Sequence, residues 1–413
     1  MSGYGFKVTR ANNKTLTRYR LRVFAYLDVG TPSDARVKVG ASIKSISEKI
    51  KMSRVKKLIR EEIQALNAYP VPNSDGMLKL DAMENPYTWP AVAKQTWADM
   101  LQDLPMNRYP DPQAQHVKDA LVNVMGIDEQ YGVLLGNGSD EIIQLLAMAV
   151  AKPGATIMAP EPGFVMYKMI ATFCGLNYIG VPLNADFELD DVAMLEAIET
   201  HQPELIFLAQ PNNPTGNLWS QESIHKIIKA SEGLVILDEA YTAFTDADHL
   251  DLLDQYEHVL VMRTLSKVGL AGLRLGMLIG RNEWLNELDK IRMPYNINIL
   301  TQASALFALD HFEMLLVQTE QIRVDRVLLM NDLSKIQGLE VFPSEANFVL
   351  VRTPDGMARN WFEELKQRNI LIKCLDGGHE LLKNCLRITV GSTDQNETLI
   401  AALEEISASG SMQ

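Results

Sequence analysis

Three short apolar runs, at residues 205–209, 234–237 and 258–262, constrain the fold more tightly than anything else in the chain. The first hands over to Gln210-Pro-Asn-Asn-Pro-Thr-Gly216 and the second to Asp238-Glu-Ala-Tyr241. The third enters Arg263-Thr-Leu-Ser-Lys-Val-Gly-Leu-Ala-Gly-Leu-Arg-Leu-Gly276. Each run reads as a strand, and helix-like intervals such as 187–200 separate the strands up to about Gly280. Strands alternating with helices are the pattern of an α/β chain with a wound, mostly parallel sheet. Ligands of such sheets sit outside the carboxyl ends of the strands, and here three strand ends carry complementary polar groups.

A lysine held in a poorly solvated pocket has its ammonium form disfavoured, which frees the amine to form a Schiff base with an aldehyde. Lys267 is the candidate, and the hydroxyls of Thr264 and Ser266 with the guanidinium of Arg274 suit a phosphate on the same ligand. Asp238, facing a pyridine nitrogen, would keep that ring protonated and drawing electrons from a carbanion at the substrate. Tyr241 and Asn213 can hydrogen-bond a ring hydroxyl. Upstream, Leu134-Leu-Gly-Asn-Gly-Ser-Asp-Glu-Ile-Ile143 joins glycines to an apolar helix over 142–150. Unpaired N–H groups and the positive dipole end of such a helix favour an anion, so Gly138, Ser139 and Asp140 join the phosphate contacts.

The motifs Pro-Asn-Asn-Pro-Thr-Gly, Asp-Glu-Ala-Tyr, Thr-Leu-Ser-Lys and Ala-Gly-Leu-Arg, in that order, resemble the fold-type I pyridoxal 5'-phosphate (PLP) aminotransferases. More narrowly, the chain is similar to the histidinol-phosphate aminotransferases over about residues 52–403. The resemblance implies transamination of L-histidinol phosphate with 2-oxoglutarate, giving imidazole-acetol phosphate and glutamate in histidine biosynthesis. It implies Lys267 as the covalent anchor of PLP, Asp238 at the ring nitrogen and Tyr241 at the ring hydroxyl. Phe164 is expected to stack on the ring, with Ala240 against its other face. A homodimer is implied too, Tyr109 reaching the PLP phosphate of the neighbouring subunit.

Substrate contacts are implied at Tyr69, Glu84, Asn85 and Tyr295, and at Arg352 and Arg387, whose planar guanidinium groups suit a phosphate and a carboxylate in turn. Core packing is the alternative for the two tyrosines, and an internal salt bridge for the two arginines. The chain departs from the family's pattern twice. Met83 stands where relatives often carry asparagine, and Arg274 follows Lys267 by seven residues, one fewer than in many relatives. A tighter turn through Gly269 is expected to absorb the difference. An aromatic amino-acid aminotransferase or a threonine-phosphate decarboxylase would keep the same cofactor residues. A PLP-sensing transcription regulator would need a DNA-binding head, and the N-terminal segment shows no helix-turn-helix pattern.

A chain of 413 residues suits two domains. The expected division is a basic N-terminal extension over 1–51, a smaller α+β domain built from 52–100 and 337–413, and a large PLP-binding domain over 101–336. Residues 1–60 carry a net charge of +12 and the remainder −25, which argues against nucleic acid as the main partner. The extension reads as a transit peptide, a basic binding tail or translation from an upstream start. No apolar run approaches the roughly 18 residues of a membrane span. Cys174, Cys374 and Cys385 are odd in number and widely spaced, as in a cytoplasmic protein with reduced thiols. The seven histidines show no metal-ligand spacing, so no metal is expected, and His249 and His258, flanking an acidic stretch, are expected on a solvated face.

Overall fold

The computed structural model describes residues 54–410, so the basic extension and the three readings of it lie outside the described residues. Residues 54–68 belong to a unit separate from Tyr69–Gln413. The continuous helix expected over 55–65 is two pieces, residues 54–58 and Glu61–Gln64. Gln64 Nε2 donates to the carbonyls of Ile59 and Lys56 across the break.

After β1 (Leu78–Lys79), the chain builds β2 (Tyr131–Asn137), β3 (Thr156–Glu161), β4 (Asn177–Pro182), β5 (Leu205–Ala209), β6 (Leu234–Asp238), β7 (Val259–Thr264) and β8 (Leu275–Arg281). The last seven form one sheet in the order β2-β8-β7-β6-β5-β3-β4. Only β8 runs against its neighbours; the other pairings are parallel. Alternate residues along the strands bury to opposite faces. One face packs Ile157, Phe207, Ile236 and Leu278 with Ile142 and Leu146 of the helix Ser139–Val150. The other packs Met158, Leu208, Leu237 and Met277 with Leu121 of the helix Gln115–Met125 and Ile227 of the helix Gln221–Ala230. Burying each such side chain contributes about 1.5–3 kcal/mol, and coverage on both faces is why the strands read as unbroken apolar runs.

The reversal of β8 positions the site. Its first residues lie at the same sheet edge as the ends of the parallel strands: Gly276 pairs with Thr264 of β7, and Leu275 with Asn137 of β2. Arg274, one residue earlier, is thereby delivered to the edge where β5, β6 and β7 end.

The C-terminal part carries β9 (Glu340–Val341), β10 (Phe348–Arg352), β11 (Ile370–Leu371), β12 (Lys373–Cys374) and β13 (Cys385–Thr389). Four of these make an antiparallel sheet in the order β12-β13-β10-β9, and β1 pairs in parallel with β11. The Leu80 carbonyl accepts from Thr389 N–H, tying the stretch after β1 to β13. The long helical region before this sheet is two helices, Ile299–Asp310 and Phe312–Leu333, parting at His311, whose ring bonds the Phe307 carbonyl.

One buried carboxylate staples the strand ends. Glu239, immediately after β6, takes Arg263 of β7 on one oxygen at 2.7 Å and the N–H and Nδ1 of His249 on the other at 2.9 and 2.7 Å. His249 is therefore not on a solvated face: it is 1% exposed, drawn inward because the buried Glu239 carboxylate needs donors and Gln221 meets its Nε2. Spacing along the sequence does not show that demand. Removing Glu239 leaves the Arg263 guanidinium buried with only the half-exposed Asp248 at 3.0 Å. Glu239→Ala is expected to destabilise the cofactor-free protein by about 3–5 kcal/mol in urea unfolding; a loss below about 1 kcal/mol would contradict the staple.

Candidate active site

The ends of β2, β3, β5, β6 and β7 surround a cleft lined by Met83, Ser139, Asp140, Phe164, Asn213, Asp238, Ala240, Tyr241, Thr264, Ser266, Lys267 and Arg274, with Ala209 and Pro211. Asp238 closes β6 at its floor. Its Oδ2 accepts from the Tyr167 hydroxyl at 2.6 Å and its Oδ1 from the Ala240 N–H at 3.2 Å. Burial pushes the carboxyl up to about 6, while the two donors hold the charged form and pull the other way. Tyr167 is held in turn by Phe207, stacked at 4.4 Å, and by the edge contact of Phe164 at 5.5 Å. Phe164 stands out in the sequence as a candidate, whereas Tyr167 does not. The stretch Pro160–Tyr167 gave no sign that its last residue meets a strand 71 residues on.

Lys267 stands in a tight turn, Ser266–Leu270, that follows β7. Its Nζ lies 3.4 Å from the Ala82 carbonyl and 5.7 Å from the Tyr241 ring centre. Burial, and then the Arg387 cation, bring the ammonium down to about 8, so a neutral amine is accessible near neutral pH. Beside it Asn213 donates to the Tyr241 hydroxyl at 3.0 Å and accepts from Arg387 at 2.6 Å. Arg387 also donates to the Asp81 carbonyl, and its buried Nε has no partner. Burial keeps the Tyr241 hydroxyl well above its usual range, with Arg387 opposing.

At the other end the helix Ser139–Val150 points its N-terminus at the cleft. The Thr264 hydroxyl bonds Ser266 Oγ at 2.9 Å, and Arg274 pairs with Asp140 at 3.1 Å. Over the seven-residue step from Lys267 the backbone turns through left-handed angles at two points: Gly269 at φ +123°, and Arg274 itself at φ +51°. Gly138 is at φ +78°, and a Cβ there would lie 2.6 Å from the Arg274 guanidinium, so the arginine reaches this end only past a glycine.

The remaining candidates are placed unequally. Tyr69 is 51% exposed, with the Lys373 ammonium 5.8 Å from its ring. Glu84 pairs with Lys79 at 2.7 Å. Asn85 donates to the Val268 carbonyl and to Gln318, so it pins the turn carrying Lys267. Tyr109 and Tyr295 stack at 4.6 Å, outside the residues lining the cleft. Arg387 touches the cleft through Asn213, whereas Arg352 is bound to Glu340 and the Leu381 carbonyl and lies over Phe342.

Residues 75–403 match the family described as Aminotransferase class I and II. The chain belongs to that family. Histidinol-phosphate aminotransferase 2 of Nitrosococcus oceani is 50% identical over 351 residues, 85% of this chain and 98% of that relative. Histidinol-phosphate aminotransferase of Chromobacterium violaceum is 49% identical over 350 residues, again 85% and 98%. The solved histidinol-phosphate aminotransferase of Sinorhizobium meliloti, in complex with pyridoxal-5'-phosphate, is 25% identical with a TM-score of 0.76, covering 85% of this chain and 98% of that one. The L-threonine-O-3-phosphate decarboxylase of Porphyromonas gingivalis, 22% identical, has a TM-score of 0.69 over 80% of this chain and 99% of its own, so the fold alone does not separate the two activities.

The cleft of this aminotransferase fits PLP by its donor set. A lysine of lowered basicity suits the aldehyde, a buried acid the ring nitrogen, a tyrosine–asparagine pair the ring hydroxyl, and a helix N-terminus with two hydroxyls and an arginine the phosphate. Because Asp238 binds its proton more tightly folded than unfolded, its cost to cofactor-free protein grows as pH rises from about 4 to about 6 and is complete above. Asp238→Asn removes that cost. Its melting temperature, compared with the parent's by calorimetry, is expected to show an advantage that grows across this window and then levels; an advantage independent of pH would contradict the assignment.

Proposed function

We propose that this aminotransferase moves the amino group of L-histidinol phosphate to 2-oxoglutarate, giving imidazole-acetol phosphate and glutamate. The observation that carries the reading is identity of about half over nearly the whole length of relatives bearing that name, together with a cleft that keeps the PLP donor set. Bound there, PLP supplies an electron sink for the pair left when a substrate C–H bond breaks. Lys267 Nζ would hold the cofactor covalently, and its free amine would serve as the base and acid that moves a proton at the substrate carbon. Its lowered basicity suits both duties near neutral pH.

Asp238, held by Tyr167 and Ala240, keeps a proton on the ring nitrogen, and Tyr241 with Asn213 orients the ring hydroxyl. Phe164 and Ala240 bound the space for the ring. Gly138, Ser139, Asp140, Thr264, Ser266 and Arg274 anchor the phosphate. Arg387 offers its unpartnered Nε to an anionic group of either substrate. Tyr69, Glu84, Asn85, Tyr295 and Arg352 complete the set of substrate contacts; Arg352 would have to leave Glu340 to act.

Glutamate formed from purified protein, PLP, histidinol phosphate and 2-oxoglutarate tests the reading. Phenylalanine and threonine phosphate offered in parallel would expose an aromatic aminotransferase or a decarboxylase, and no glutamate from histidinol phosphate would sink the proposal.

The enzyme is further proposed to be a cytoplasmic homodimer in which Tyr109 reaches the phosphate of the neighbouring subunit's cofactor. Tyr109 is 81% exposed, and Met106 and Met293, close in sequence to the stacked pair, are exposed as well. Mixing inactive Lys267→Ala chains with Tyr109→Ala chains is expected to restore turnover above either alone, since a mixed dimer holds one intact site. Activity no higher than the sum of the two would contradict a shared site.

A further inference from the structure

We propose that Met83 is a specificity-determining residue, the wall of the cleft against which the ring of the amino donor's side chain packs. This rests on the function proposed above for the identity of that ring, but the wall itself follows from the backbone. Met83 sits at φ +54°, a conformation that long L side chains rarely adopt and that asparagine or glycine would adopt with less strain. Two hydrogen bonds impose it. The Met83 N–H donates to Thr389 Oγ1 at 3.0 Å, and its carbonyl accepts from Asn347 Nδ2, also at 3.0 Å. Asn347 is fully buried and Thr389 nearly so, so neither partner is free to follow a relaxed backbone.

The strained turn places a long, flexible side chain in the cleft. Met83 lines it at 8% exposure, and the preceding carbonyl, that of Ala82, is 3.4 Å from Lys267 Nζ. The side chain thus begins one residue from the carbonyl that meets the Lys267 amine. The lining mixes polar groups, Asp238, Asn213, Tyr241 and Ser266, with the apolar Phe164, Ala209, Pro211 and Ala240, and Met83 is the long unbranched chain among them. A thioether is unbranched and polarizable, and sulfur packs well against aromatic rings. The chemistry recognised is therefore a planar ring carried a short distance from the amine-bearing carbon. A non-glycine residue held in a left-handed conformation at the lining of a cleft is the pattern expected where strain serves function.

Met83 also belongs to an apolar cluster with Tyr241 and Phe348, so the test must separate a recognition wall from core filling. Glutamate carries no ring and is a donor in the reverse half-reaction of the same site. The measurement is the ratio of kcat/KM for histidinol phosphate to that for glutamate, read in single half-reactions from the absorbance of bound PLP, with melting temperature recorded alongside. In Met83→Asn the ratio is expected to fall by about tenfold or more, chiefly through KM for the ring-bearing donor. In Met83→Leu, which keeps apolar volume, most of the ratio is expected to return. A fall shared equally by both donors, tracking the melting temperature, would mean that Met83 only fills space and would overturn the inference. Should the parent protein use phenylalanine and not histidinol phosphate, the proposed substrate fails while the phenylalanine-to-glutamate ratio still tests the wall.

Discussion

Excluding water from a carboxylate and an amine in one cleft is the constraint on which the rest of this structure depends. Burial raises the acid of Asp238 to about 6 and lowers the base of Lys267 to about 8. Neither shift helps the empty protein, because each buried charge costs free energy that solvent would have supplied. The sheet pays for both. Asp238 ends a strand whose neighbours on either side are fully buried, and Lys267 follows the adjacent parallel strand, so the two sit on one edge by strand pairing and not by loop flexibility. Glu239 then ties those strand ends together through Arg263 and His249.

The phosphate end obeys a second constraint, close approach. A helix N-terminus and an arginine can serve one anion only if backbone and guanidinium come near each other. Gly138 and Gly276 provide that nearness, since a Cβ on either would overlap the arginine or the backbone opposite at 2.6 Å. The antiparallel course of β8 delivers Arg274 to the same edge without a long connection. A β8 parallel to β7 would need a crossover of about a dozen or more residues and would begin at the opposite edge.

Much of this was legible in the sequence because burial on both faces leaves an unbroken apolar signature. The runs at 205–209, 234–237 and 258–262 became β5, β6 and the body of β7 for that reason. The cofactor candidates were legible because they follow strand ends directly. What stayed hidden depends on partners distant in sequence. Tyr167 reaches Asp238, Asn85 spends its amide on Val268 and Gln318, and His249 is buried by Glu239. Arg352 and Arg387 look alike on apolar strands, yet one is satisfied by Glu340 and the other keeps a donor unused. The backbone angle of Met83 has no local signal at all, being set by Asn347 and Thr389 from the far end of the chain.

The central claim is that one particular lysine, opposite one particular acid, holds the cofactor. Reducing the PLP-loaded protein with borohydride fixes the cofactor to whichever amine carries it, and peptide mass spectrometry then reads the position. The account predicts a single phosphopyridoxyl group on Lys267. Label on another lysine, or none above that of denatured protein, would contradict it.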